Sequence, residues 1–445
     1  MLLERKIDNF SDYLSKFVSD SKIESFARAS GFKKRDSPIS PQAFLESVFF
    51  CNAQDSPSLS EYSIDLEQQG CKRVSKQAID KRFNDRTKEM LTLILKEVMS
   101  KQLARKPLAV GIASHFTDVN IMDSSEFGVS KRAAGVFPGY GGTGREAMVQ
   151  IQLEYQLFSS KVTQLSIGSA LDSDAKEGMK NIDDICPKTL LIRDLGYFGP
   201  QAFKELAQRD LYFISRAKSQ WNFYLEEQGE LIPLSTADII EKLKTQKEKY
   251  LDLDVFVGKE ALSPVRLVAN LLTEEQAKKR LKKKSANRKL GEDALESIGL
   301  NLFVTNVERE KCDAEAVYEL YTLRWQIELV FKTWKSVIKL HKIHSMNATR
   351  LECIILIKLL WVMLNWSIWN RIKDYTNKDI SFHKLSQTLQ SRSKRLTPCV
   401  LRSKQLLIEW LYNLAEISKV HHEKEYKKGS KKNWEILAKI CYKAA

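Results

Sequence analysis

Tyr321 to Lys335 reads YTLRWQIELVFKTWK, and two accounts of it compete. Drawn as one helix at 100° per residue, Tyr321, Arg324, Glu328 and Lys335 fall within an arc of about 60°. Leu320, Leu323, Ile327, Val330, Phe331, Trp334 and Ile338 fill the adjoining arc. Such a helix buries one side and aligns four polar groups beside it. A hydroxyl, a guanidinium, a carboxylate and an ammonium in one file suit a carboxylate-bound metal ion next to a phosphate backbone. The plain alternative is an Arg324–Glu328 ion pair at a core edge, contributing about 0.2–0.5 kcal/mol, with Tyr321 and Lys335 incidental. The helix alone favours the plain account; what lies upstream reverses it.

From about Leu108 the chain changes to short β-branched runs. FTDVNIMDSSEF (116–127) reads as a strand ending at Asp123, and MVQIQLEYQLF (148–158) alternates like a strand paired beside it. The glycine-rich GVFPGYGGTGRE between them nearly spells a phosphate-binding loop, but Arg145-Glu146 stands where Lys and then Ser or Thr are needed, so it reads as a hairpin connection. DSDAKEGMKNIDDI is helical, TLLIRDLGYFG runs an apolar strand into Asp194, PQAFKELAQRD is a helix, and LYFISRAK a further strand. This order is that of an α/β layer with a mixed sheet. NLFVTNV (301–307) resumes strand texture before the helix at 321–335.

Three acids stand out: Asp123 and Asp194 at strand ends, and Glu328 on a helix. If they converge, carboxylates about 4 Å apart repel by roughly 4 kcal/mol per pair at an effective dielectric near 20, so protons or divalent cations must offset them. Hard oxygen ligands select Mg²⁺ or Mn²⁺, two ions per site, which can activate water or a 3′-hydroxyl at a phosphodiester. Asp118, Asp172, Asp174, Asp183 and Asp184 read as turn or cap residues. His341 and His344 lack a third ligand nearby and read as DNA-phosphate or core groups. Trp325 and Trp334 read as core or core-edge.

The chain has 445 residues, 43% hydrophobic, enough for a large core divided among several domains. Its 71 basic against 56 acidic residues leave +15, which points to a polyanionic partner, nucleic acid before anionic membrane. Seven scattered cysteines, without a CxxC pair to suggest zinc or redox chemistry, fit reduced thiols in a cytosolic protein. The N-terminal stretch lacks the apolar run of a signal peptide. Cys353 to Trp369, interrupted by Lys358 and Asn365, reads as a buried core helix rather than a membrane span.

Residues 1–107 read as a helical DNA-binding region. Leu59–Gln69 and Val74–Asn84 frame a helix-turn-helix with Ser75 as N-cap and Lys76, Gln77, Lys81 and Arg82 facing DNA; a plain helical hairpin with a basic face is the alternative. The remaining divisions are 108–218, 219–302 (β-prone, with the charge run AKKRLKKKSANRK at 277–289), 303–375, and a basic helical 376–445.

IMDSSEF, LLIRDLGYFG, FVTNV and the spacing of Tyr321, Arg324, Glu328 and Lys335 resemble the DDE transposases of the insertion-sequence-four type. The resemblance covers about Leu108 to Arg371. It implies a ribonuclease-H-like mixed sheet flanked by helices, with 108–218 and 303–375 as its two parts and 219–302 as a β-rich insertion. Asp123, Asp194 and Glu328 would bind the metals, and Tyr321, Arg324 and Lys335 would hold phosphates near the cleaved end. The chain departs from the family in carrying Leu195 where arginine is frequent and no tryptophan between Trp221 and Trp325. The function implied is DNA transposition: binding terminal inverted repeats, cleaving at the ends and joining 3′-hydroxyls to target DNA. The partners are double-stranded DNA and a second copy in the synaptic complex, with no membrane and with nucleoid association when DNA is bound. A ribonuclease-H-fold nuclease or resolvase, and a non-catalytic DNA-binding protein, are the alternatives.

Overall fold

The computed structural model of the chain describes residues 10, 19–54, 57–104, 110–246, 248–259, 262–285, 295, 297–343, 346–393, 404–426, 429 and 431–439. The N-terminal region is helical: α1 (Asp20–Ala29), α2 (Pro41–Gln54), α3 (Leu59–Gln68), α4 (Lys76–Asp80) and α5 (Asp85–Ser100). Ser58 and Glu61 close a capping box on α3, and the Ser75 hydroxyl accepts from the Ala78 N–H at the start of α4, as expected. The second helix of the anticipated helix-turn-helix is shorter than expected and ends at Asp80. The Asn84 side chain accepts from the N–H groups of Arg86 and Thr87, so it opens α5 instead of closing α4.

The centre is one ten-stranded sheet in the order β3-β2-β1-β4-β5-β10-β9-β8-β6-β7. Its first half comprises β1 (Val119–Gly128), β2 (Met148–Gln156), β3 (Val162–Ser169), the short helix α6 (Asp174–Met179), β4 (Leu190–Arg193), α7 (Pro200–Gln208) and β5 (Tyr212–Arg216). β1, β4 and β5 run parallel, while β2 and β3 are antiparallel to their neighbours. The fully buried β4 is the continuous apolar run of an interior parallel strand. In β2, Val149, Ile151, Leu153 and Tyr155 enter the main core, and Gln150, Gln152 and Glu154 take the opposite face.

Two strands differ from expectation. β1 does not stop at Asp123 but runs on to Gly128, because β2 pairs with it as far as Gly128↔Met148. β3 was not anticipated. Its Gln164 and Ser166 side chains donate to Glu177 on α6, so VTQLSIGS lacks a clean apolar alternation.

Residues 219–302 bring β6 (Phe223–Glu227), β7 (Glu230–Leu234), α8 (Thr236–Gln246), β8 (Leu251–Val257), β9 (Ser263–Leu271) and α9 (Glu274–Ser285). These strands prolong the same sheet. β10 (Leu300–Thr305) pairs with β5 on one side and β9 on the other. Residues 286–289 of the charge run lie outside the described residues.

Then come α10 (Ala314–Thr322), α11 (Trp325–Ser336), α12 (Ala348–Thr376), α13 (Phe382–Ser391), α14 (Lys404–His421) and α15 (Asn433–Leu437). α12 is the core helix expected at 353–369. It packs on α2, α5 and α14, and most of its apolar stretch is buried inside the protein. The 321–335 stretch is two helices, not one. Leu323, Arg324, Gln326 and Ile327 donate to carbonyls three residues back, so a single 3₁₀-type turn separates α10 from α11 without glycine or proline.

Candidate active site

The parallel ladder between β1 and β4 closes at Met122↔Arg193. Asp123, midway along β1, and Asp194, just past the end of β4, are therefore the next residues beyond that ladder, beside the carboxyl end of β4, where open α/β sheets place their ligand sites. α11 packs against β1 and presents the polar file to the same edge. The Tyr321 hydroxyl donates to Asp194 Oδ1 at 2.9 Å. Arg324 forks, with Nη1 on Asp123 Oδ2 at 2.7 Å and Nη2 on Glu328 Oε1 at 2.6 Å. Lys335 Nζ donates to the Glu126 carbonyl at 3.1 Å. The i,i+4 pair of the plain account thus exists, but the same guanidinium reaches an aspartate two hundred residues away in the chain.

An open cleft of about 650 Å³ lies beside this fork. Asp123, Glu328, Lys332, Lys335 and His341 are among the residues lining it, whereas Asp194 and its partner Tyr321 are not. His344 lies outside the described residues.

Electrostatics follow from burial in this corner. Desolvation drives the Asp123 carboxyl up to about 6; Arg324 and the Ser124 N–H oppose this, and Asp194 and Glu328 add to it. Arg324 is pushed above its ordinary value: burial disfavours its charge, but Tyr321, Asp194, Asp123 and Glu328 outweigh burial. Burial lowers Lys335.

Carboxylate oxygens from a strand, a strand end and a helix are the donor set that hard divalent cations take. Among the described residues, no three His, Cys, Asp or Glu side chains stand close enough together to share an ion as they lie. The Arg324 fork accounts for this at Asp123 and Glu328, since an ion shared by those two carboxylates requires the guanidinium to leave. The set fits a metal in kind, with Arg324 as the group that must give way.

On the opposite face of the sheet lies a polar layer that sequence patterning missed. Arg193, 1% exposed, pairs with Glu154 at 2.5 Å and donates to the Gly178 carbonyl. Glu154 also accepts from Asn120 and Thr163. The Tyr197 hydroxyl donates to Gln152 at 2.6 Å, and Gln150 and Gln152 both donate to Asp174, at 3.1 and 2.7 Å. This layer anchors the residue before Asp194 from beneath. The polar alternation of Gln150, Gln152 and Glu154 in β2 was its signal. Asp118 is the cap residue expected, accepting from the N–H groups of Val119, Phe158 and Ser159.

The N-terminal candidates sit apart, and none lines the cleft. Lys76, Gln77 and Lys81 are exposed. Arg82 turns inward instead, its guanidinium over the Phe32 ring at 4.9 Å and bonded to the Ser37 hydroxyl. Trp334 is core, as expected, but Trp325, the first residue of α11, is 57% exposed beside Arg324.

Residues 114–364 match the family model described as Transposase DDE domain. The chain is 31% identical over 386 residues to the transposase for insertion sequence element IS231F of Bacillus thuringiensis subsp. israelensis, covering 81% of this chain and 80% of that one. To the IS231B transposase of Bacillus thuringiensis subsp. berliner it is 26% identical over 463 residues, covering 98% and 96%. To the IS1151 transposase of Clostridium perfringens it is 29% identical over 384 residues, covering 80% of each. With over half its length inside the family model and relatives that match almost from end to end, the chain belongs to the DDE transposases of the insertion-sequence-four type and is an enzyme acting on DNA.

Proposed function

We propose that the chain binds the terminal inverted repeats of its element, cleaves the DNA at the element ends and joins the freed 3′-hydroxyls to target DNA. The observation that carries this is the Arg324 fork between Asp123 and Glu328, one strand away from the Tyr321–Asp194 bond. Family membership brings dependence on divalent metal. Asp123, Asp194 and Glu328 are the residues to hold it, as two Mg²⁺ or Mn²⁺ ions. When bound, the ions supply Lewis-acid stabilisation of the phosphodiester oxygens and an activated water or hydroxyl.

The chain's own groups do the rest. Lys335 and Arg324 grip backbone phosphates, and the Tyr321 hydroxyl orients Asp194. The polar layer under β1 and β4 keeps Asp123 and the end of β4 in register. Residues 1–107 act as an end-binding region, with Lys76, Gln77 and Lys81 toward DNA. Two ends must be held together, so the working form is a homodimer in the synaptic complex, acting at the nucleoid of a bacterial cytoplasm.

Replacing Asp123, Asp194 or Glu328 with Ala should abolish cleavage of a labelled element end in Mg²⁺ while end binding stays within about threefold, roughly 0.7 kcal/mol. Cleavage retained in any of the three rejects the assignment. Incubation with Mg²⁺, pre-cleaved ends and a target plasmid separates transposition from a nuclease activity, because joined products arise only in the first case.

A further inference from the structure

α11 ends at Ser336, but the chain stays at the cleft. Lys339 adopts the left-handed conformation, φ 55°, which residues carrying a Cβ seldom enter. The reversal is held from several sides. The Leu340 N–H donates to the Trp334 carbonyl at 3.0 Å and the Lys342 N–H to the Lys339 carbonyl at 2.9 Å. From α12, buried Lys358 sends its Nζ to the Ile338 and Lys339 carbonyls, both at 3.4 Å. Leu340 is packed into the core.

This construction returns His341 to the wall of the cleft, which Lys332 and Lys335 also line. Its Nδ1 is shut off from solvent and, among the described residues, has no hydrogen-bond partner. A buried ring nitrogen left without a partner is uncommon; with no acceptor beside Nδ1 the neutral ring carries its proton on Nε2, and it is by an edge other than Nδ1 that the ring meets the cleft, whose lining also carries two ammonium groups. A partner that accepts from the cleft edge of the ring and from both lysines is an anionic oxygen.

We propose that His341 is a further DNA-backbone contact of this cleft, an imidazole donor that works with Lys332 and Lys335 on a phosphate. The proposal rests on the reading above that the cleft receives the DNA strand.

Proton linkage follows from the surroundings. Lys335 from α11, Lys342 from the same turn and Lys358 from α12 act on the ring, and Asp123 and Glu328 stand elsewhere in the same cleft. Burial first, and then those three ammonium groups, hold the imidazole below the ordinary histidine value. A phosphate brings the opposite charge and favours the imidazolium, so binding takes up a proton. Affinity is therefore highest where the ring is charged in the complex and declines as pH rises through the interval between the free and bound values.

The test is anisotropy titration of a fluorescent duplex carrying the element's own terminal repeat, taken from the DNA flanking the reading frame, at fixed salt. Full-length wild type and His341→Gln are compared between about pH 5.5 and about pH 8.5. The substitution should weaken binding about tenfold at the acid end and much less at the alkaline end, flattening the pH profile. A loss equal at every pH marks a structural role and overturns the contact, as do superimposable profiles. If Lys335→Ala, titrated alongside, also binds the duplex as the wild type does at every pH, the reading of the cleft itself fails.

Discussion

Asp123 holds its proton more tightly in the folded chain than an exposed aspartate does, because burial and two acidic neighbours outweigh Arg324. Ionising it between about pH 4 and about 6 therefore draws on folding stability, yet the ionised form is the one that can ligate a cation. At limiting Mg²⁺, single-turnover cleavage should climb with pH as the ion competes with the Asp123 proton, and rising Mg²⁺ should move the rise to lower pH; a profile indifferent to Mg²⁺ concentration would argue that Asp123 is not a ligand. The polar file of Tyr321, Arg324, Glu328 and Lys335 was legible in the sequence because helical spacing is a local property, and Asp123 and Asp194 because each follows an apolar run. His341 was legible as a candidate but not as a cleft residue, since a lysine at the left-handed turn gives no warning of a chain reversal. Arg82 misled for the opposite reason: a basic residue on an apparent outer face lies over Phe32, and only tertiary packing decides that.

Between elements, the sequence blurred where local signals compete. Asn84 could end one helix or begin the next, and its side chain caps the latter. The 3₁₀-type turn at 323–327 contains neither glycine nor proline, so periodicity carried straight through it. β3 was hidden by its polar contacts with α6, which belong to the layer beneath the active edge. That layer invites its own test. Arg193→Met leaves the Glu154 charge buried without its guanidinium, and should lower unfolding free energy in urea by about 3–5 kcal/mol. Replacing both partners with apolar residues of similar volume should recover much of that loss. A single substitution within about 1 kcal/mol of wild type would mean that the pair does not brace the strand ends.

Over the whole molecule, an excess of 15 positive charges meets a substrate that carries one negative charge about every 1.7 Å along the duplex axis. End binding should therefore weaken steeply with salt. Lys335→Ala should reduce the slope of log K against log salt by about one, and an unchanged slope would remove Lys335 from the phosphate contacts. The α/β layer could be anticipated from the order of its runs, but the continuity of ten strands through residues 219–302 could not, because pairing between β10 and β9 is set by distant partners. What unites these scales is the proposed metal centre, drawing on Asp123 within β1, Asp194 after β4 and Glu328 on a helix far along the chain. Glu328 is the acid most remote in sequence from the other two, so it bears the most direct measurement: strand transfer of pre-cleaved element ends into plasmid DNA in Mn²⁺ by Glu328→Ala. No joined product, with end binding retained, is the expected result; joining at the wild-type rate would contradict a shared centre.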